Sequence, residues 1–246
     1  VRRKGRAMLL TRLSAVLVLL GLLAGCMYPN ELRKENMLAG GEYVILVQSA
    51  VDQYKSKTGV LPIKNSEEAT PLYEKYPIDF KKLLGAYMST IPSNAFENGG
   101  TARYVLIDVE TKPTVKMLDL TSFQQTVELQ RAVDEYRSRT GVLPLAEKTA
   151  QGFHRIDFDK LKWKQTDVRS MYSVNTRLPF LIHDSGTVTI DYALEMMKLI
   201  DKKQLQGKLA PDDDLRALLA AESYFVPARS YAYRFVNGEP VPITAP

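Results

Sequence analysis

Residues 50–63 read AVDQYKSKTGVLPI and residues 132–145 read AVDEYRSRTGVLPL, so one segment is written twice, 82 residues apart. Ten of the 14 positions are identical, and the other four exchange Gln for Glu, Lys for Arg twice and Ile for Leu. A second echo, IDFKKL at 78–83 against IDFDKL at 156–161, comes at an offset of 78. A duplication this close restricts the fold to two related units of about 80 residues each. The four residues lost between the echoes of the second copy fall in a surface loop.

Each unit opens with a helix. Val44, Val47, Val51 and Tyr54 recur at spacings of three and four, as do Leu129, Val133 and Tyr136. Ser122 with Gln125 forms a capping box at the second start. Gly59 and Gly141 suit the left-handed residue that closes a helix, and Pro62 and Pro144 prevent its resumption. Strands are expected at 103–109 and 114–120 around a turn at 110–113, and at 180–183 and 187–191 around 184–186. Beyond them the pattern predicts helices at 192–206 and 212–223 and a terminal hairpin turning at Asn237-Gly238. The expected fold is α+β, two tandem helix-plus-antiparallel-hairpin repeats (42–121 and 122–191) with a C-terminal helical and hairpin extension (192–246).

The N-terminal part carries different information. Residues 13–25, LSAVLVLLGLLAG, are uncharged and come after a basic segment, the layout of an export signal at 1–25. Thirteen residues are too few to cross a bilayer, which takes roughly 20. Arg2, Arg3, Lys4, Arg6 and Arg12 account for the whole formal charge of +5, leaving a balanced remainder and no electrostatic case for nucleic acid. Leu23-Ala24-Gly25-Cys26 resembles the lipobox of bacterial lipoproteins. The resemblance implies that Cys26, the one cysteine present, takes a diacylglycerol thioether and becomes the first mature residue, anchored on the extracytoplasmic face of the cell membrane. Residues 26–41, poor in large apolar groups and ending in Gly40-Gly41, read as a flexible tether with a span of roughly 20 Å.

Two further resemblances concern the part after Cys26. Tyr54-x4-Gly59-x2-Pro62, then Pro92-x-Asn94-x-Phe96 and Gly99-Gly100 before a strand, is similar to the globular part of type II secretion pseudopilins, without their long apolar helix. Together with Met27-Tyr28-Pro29 and the stretch 94–97 (NAFE), the chain resembles a lipoprotein family of spore-forming Gram-positive bacteria. Some members of that family are labelled solute-binding components of an ABC transporter, and that role is the first alternative the resemblance implies.

Catalytic chemistry finds little support. His154 and His183 lack the closely spaced partners of a zinc site, so no metal and no cofactor is expected. Asp212-Asp213-Asp214 fails as a calcium loop, because Arg216 and Ser223 would stand at ligand positions, and reads instead as a negatively charged helix start. Asp79 and Asp157 could form a carboxylate pair, the basis of the second alternative, an envelope hydrolase; capping of two short helices, at 80–88 and 158–164, is the simpler account. The expectation is a non-enzymatic binding or interaction module for a protein or small molecule. Its ligand site is expected at the groove between the repeats, around Tyr54, Tyr76, Tyr136 and Trp163.

Overall fold

The computed structural model describes residues 30–244, with side chains from residue 40 onward. The export signal, Cys26 and the first part of the tether lie outside the described residues. The residues from Gly40 onward form one compact unit; the start of the first helix, 30–39, lies outside it.

Copy 1 comprises α1 (Asn30–Thr58), the short helix α2 (Phe80–Leu83) and the antiparallel hairpin β1 (Ala102–Ile107) and β2 (Thr114–Asp119). Copy 2 comprises α3 (Leu120–Thr140), β3 (Leu145–Ala150), β4 (Phe153–Ile156), the short helix α4 (Phe158–Leu161), β5 (Val168–Arg169), β6 (Arg177–Leu178), β7 (Phe180–His183) and β8 (Val188–Ile190). The extension adds α5 (Ala193–Lys203), α6 (Arg216–Glu222) and the hairpin β9 (Ala232–Val236) and β10 (Glu239–Ile243). The main sheet has the antiparallel order β3-β4-β7-β8, so the fold is α+β.

The two copies make the same hydrogen bonds. Gln48 Nε2 donates to the Asp52 carboxylate and the Pro113 carbonyl (2.9 and 3.0 Å) while its Oε1 accepts from the Val115 amide (2.7 Å). Gln130 does likewise with Asp134, Gly186 and Val188 at 3.0, 2.9 and 2.7 Å. One glutamine thus ties each long helix to its hairpin. The Thr58 and Thr140 hydroxyls donate to the carbonyls of Tyr54 and Tyr136, both at 2.8 Å. The Asp79 and Asp157 amides donate to the carbonyls of Pro62 and Pro144 (2.7 and 2.8 Å).

Gly59 and Gly141 close the helices at φ +76° and +77°, each amide donating one turn back, to Lys55 and Arg137 at 2.8 Å. A Cβ at either glycine meets no atom within 4 Å, so substitution there carries backbone strain alone. Gly59→Ala and Gly141→Ala are each expected to lower stability by about 1 kcal/mol, and by the same amount within a few tenths. Urea unfolding of the two variants checks this, and a cost confined to one copy would break the equivalence.

Several expectations need correcting. The tether is not a coil over 30–41, because α1 begins at Asn30 and runs through both glycines. A Cβ on Gly41 would stand 2.6 Å from the Tyr224 ring and one on Gly40 3.3 Å from Met117 Cε, so the glycines let a helix approach its neighbours. The second long helix starts at Leu120, capped by Asp119, whose carboxylate accepts the Thr121 and Ser122 amides (3.4 and 2.9 Å). A carboxylate at the helix's positive end displaces the expected Ser122 box. Of the three acids at 212–214 only Asp214 stands at the start of α6, where it accepts the Arg216 amide at 3.1 Å; Asp212 pairs with Arg234 and Asp213 with the Ala210 amide. The short helices end early, at Leu83 and Leu161, because Leu84 turns extended and Lys162 left-handed.

Three apolar clusters result. One, around Val47, Val51, Phe80, Leu83 and Tyr104, belongs to copy 1. Another, around Leu129, Val133, Phe180, Ile182, Met196 and Tyr233, joins copy 2 to the extension. The third sets Val105, Ile107 and Leu118 of copy 1 against Ala220, Val226 and Ala228 of the extension.

Candidate functional site

The place where the two copies meet is occupied by the chain's own segment 223–230. Its start lies parallel to β2: the Met117 amide donates to the Tyr224 carbonyl (2.8 Å) and the Val226 amide to the Met117 carbonyl (2.9 Å). Lys116 Nζ donates to the Ser223 carbonyl at 2.6 Å. Burial holds that ammonium below the usual lysine range, against the opposing pull of Asp108 and Glu222.

The other end of the segment grips copy 2. The Arg229 carbonyl accepts the Ile190 amide (2.9 Å) and the Thr189 hydroxyl (2.8 Å), and the Ala228 carbonyl accepts the Tyr192 hydroxyl (3.1 Å). The Arg229 amide turns back to copy 1 and donates to Glu74 at 2.9 Å. Burial pushes the Glu74 carboxyl above its usual range, with the Arg229 hydrogen bond and charge pulling the other way. The Arg229 guanidinium covers the Phe123 ring at 5.0 Å, a cation–π contact on the first turn of α3. Phe123 is the duplicate position of Gly41, so the strap crosses equivalent points of both long helices, on Tyr224 at one and on Arg229 at the other.

What remains between the copies is a hollow lined by Asp119, Ser122, Arg169, Tyr172, Tyr192 and Arg229 together with apolar neighbours. It has room for about one water molecule. The sites of drug-sized ligands run to hundreds of Å3, so this one is not preformed for such a ligand. Burial raises the hydroxyls of Tyr172 and Tyr192 far above the usual tyrosine range, which leaves both neutral hydrogen-bond donors.

None of the four aromatics expected at the groove lines this hollow. Tyr54 and Tyr76 pack on the edge of the copy 1 core, where Tyr54 meets Tyr87 edge-on at 5.4 Å and Lys75 stands over Tyr76 at 6.0 Å. Tyr136 sits half-buried at the duplicate position of Tyr54, with Arg139 over its ring at 5.9 Å. Trp163 is 38% exposed, just past α4. The duplication that brings Tyr54 and Tyr136 to equivalent positions also puts them on separate units. Spacing along the chain identifies the aromatics; only long-range pairing identifies the strap.

Asp79 and Asp157 each cap a short helix, accepting the Lys81 amide (3.2 Å) and the Lys160 amide (3.1 Å). The Lys160 amide and ammonium hold the Asp157 carboxyl below its usual range. His154 meets Asp184 at 3.0 Å, and His183 meets Ser185 at 2.9 Å inside the β7–β8 turn. Among the described residues no cluster of three or more His, Cys, Asp or Glu side chains is placed to hold a metal ion. No helix among them is long and apolar enough to cross a membrane.

Comparison with known proteins adds one match. The family model described as the YphF family N-terminal domain matches residues 41–119, which is copy 1 from the Gly41 contact to the end of β2. No curated protein and no solved structure matches the chain.

Proposed function

We propose that the mature chain is a lipid-anchored module on the extracytoplasmic face of the membrane that binds a partner through its outer surface, without catalysis. The observation carrying this reading is the strap at 223–230, which fills the junction between the copies and leaves a hollow of about one water. A solute receptor needs an enclosed site and two lobes that close on it. Here the lobes are joined on both sides by one buried segment, with Val226 and Ala228 at 4% and 7% exposure. A scaffold held in this way suits recognition by its exterior.

Photo-crosslinking in cells tests the proposal. A crosslinker at exposed Val142 or Trp163 is expected to capture one recurrent envelope component, and the same group at Ser122 or Met171 in the hollow is expected to capture none. Tight binding of a small solute, with a fall in the radius of gyration by X-ray scattering, would replace this reading with that of an importer subunit.

A further inference from the structure

The duplication gives each surface position of copy 1 a counterpart in copy 2. Early in the two long helices the exposed pairs Glu42/Gln124, Leu46/Glu128 and Ser49/Arg131 have drifted in charge or polarity. Buried pairs have drifted too, Val44/Thr126 and Val47/Leu129 among them. The exposed ends of the same helices have not. Residues 56–60 read SKTGV and residues 138–142 read SRTGV, with Val60 and Val142 each 58% exposed.

The fold accounts for part of that identity. Thr58 and Thr140 bond the last turn, Gly59 and Gly141 need the left-handed region, and Pro62 and Pro144 are buried. It does not account for the valines. A Schellman cap asks for an apolar residue after its glycine, but here the Val60 and Val142 amides go to the hydroxyls of Thr58 and Thr140, both at 3.4 Å. The one bond from each glycine amide, to Lys55 and Arg137, is the simpler cap without that contact. Two bases stand in each last turn, Lys55 and Lys57 or Arg137 and Arg139. Lys57 lies over the Tyr87 ring at 6.0 Å and Arg139 over Tyr136 at 5.9 Å, while Arg137 Nη1 donates to the Ser185 carbonyl at 2.9 Å. The acids three residues ahead, Asp52 and Asp134, accept from Gln48 and Gln130. A negative helix end favours bases there in any sequence; it gives no reason for an exposed aliphatic residue at the apex.

We propose that the two helix ends are equivalent docking points for one and the same acidic protein, so that the chain binds two copies of it. Each valine enters a shallow apolar recess, and the bases of its turn meet carboxylates at the rim. A single exposed aliphatic residue needs no explanation, but the same one kept at the same exposure in two copies whose cores have diverged does. The acidic partner follows from the bases, because both positions exchange lysine for arginine and keep their charge. One valine at each end gives a bilayer little to hold, since that attraction scales with the apolar area buried, whereas a protein recess also fixes the bases in place. The proposal rests on the reading of the chain as a surface-binding module, and names two of its contact points and the charge of its partner.

A photo-crosslinker placed at Val60 and, separately, at Val142 of the full chain in cells is expected to capture the same acidic protein from both positions. From Ser49 or Arg131, exposed on the same helices, it is expected to capture none. With that protein purified, the full chain in detergent is expected to bind two copies by analytical ultracentrifugation, and high salt to weaken the binding. Val60→Asp or Val142→Asp is expected to leave one copy bound and the double variant none, with an unchanged circular dichroism spectrum. Different proteins at the two positions, capture at one position alone, a single bound copy in the unaltered chain, or binding indifferent to salt would each overturn the proposal. Crosslinks to phospholipid alone would overturn it in favour of a membrane surface. Silence at both helix ends overturns it too, while capture at Trp163 in that case would leave the surface-binding module standing.

Discussion

A chain ending at Glu222 is expected to lose its cooperative unfolding transition altogether, although both copies of the duplicated unit remain complete in it. The truncation removes Val226 and Ala228 from the cluster that faces Val105, Ile107 and Leu118, and takes Tyr233 from the core of copy 2. It also leaves the Met117 amide and carbonyl, the Lys116 ammonium and the Ile190 amide without their partners. Each buried polar group left unpaired costs about 1–3 kcal/mol, and four of them match the whole stability of an ordinary domain, about 5–15 kcal/mol. The expected result is a broad, sloping melt by circular dichroism and dye binding typical of a loosened core. A sharp transition retained by the truncated chain would show that the strap only decorates two self-sufficient units. A graded version separates packing from hydrogen bonding: Val226→Ala removes two methyl groups and is expected to cost about 2 kcal/mol while leaving the transition cooperative.

The same dependence bears on the family match. The family model that matches residues 41–119 is that of an N-terminal domain, yet in this chain the third cluster covers one face of the segment with residues more than 100 positions away. A fragment holding residues 41–119 alone therefore exposes Val105, Ile107 and Leu118 to solvent.

Features decided by neighbours in sequence are legible in the sequence alone. Gly59 and Gly141 close helices because a left-handed residue is required there, and Asp79 and Asp157 cap because a carboxylate two or three residues ahead can reach a free amide. The hairpins β1–β2, β7–β8 and β9–β10 declare themselves by alternation and turn residues, whereas β3–β4, whose first strand LAEKTA shows no alternation, is not among the expected elements. Expectation and structure part where the cause is distant. Gly40-Gly41 has the composition of a tether, but its meaning comes from the Tyr224 ring, nearly 200 residues later. The strap reads SYFVPARS, with no period of two or of three to four, and is fixed by partners distant in sequence, among them Met117, Glu74 and Ile190 and the apolar cluster around Val105 and Leu118. The aromatic site suffers from the same limit: spacing distinguishes a helix face, not which of two similar units that face belongs to.

On the lipid-anchored reading proposed above, Cys26→Ser is expected to abolish lipid attachment completely, with no partial phenotype. The expectation comes from the chemistry of the residue: a thiolate forms a stable thioether with diacylglycerol, a serine hydroxyl does not, and no second cysteine can substitute. Two acyl chains suffice for stable anchoring where one gives only reversible binding, at about 0.8 kcal/mol per buried methylene. Losing both therefore removes the whole of the anchor. Metabolic labelling with a clickable fatty acid measures the attachment, and persistent label on the serine variant would sink the idea. Fractionation separates two fates of the unlabelled chain. If the signal is still cut, the chain leaves the membrane; if not, it stays through the uncut segment at 13–25, heavier by the mass of the signal. Cys26 lies outside the compact unit formed from Gly40 onward, so the fold is expected to be unchanged by the substitution. A serine variant that unfolded would place Cys26 in a structural role and contradict its reading as a lipid site.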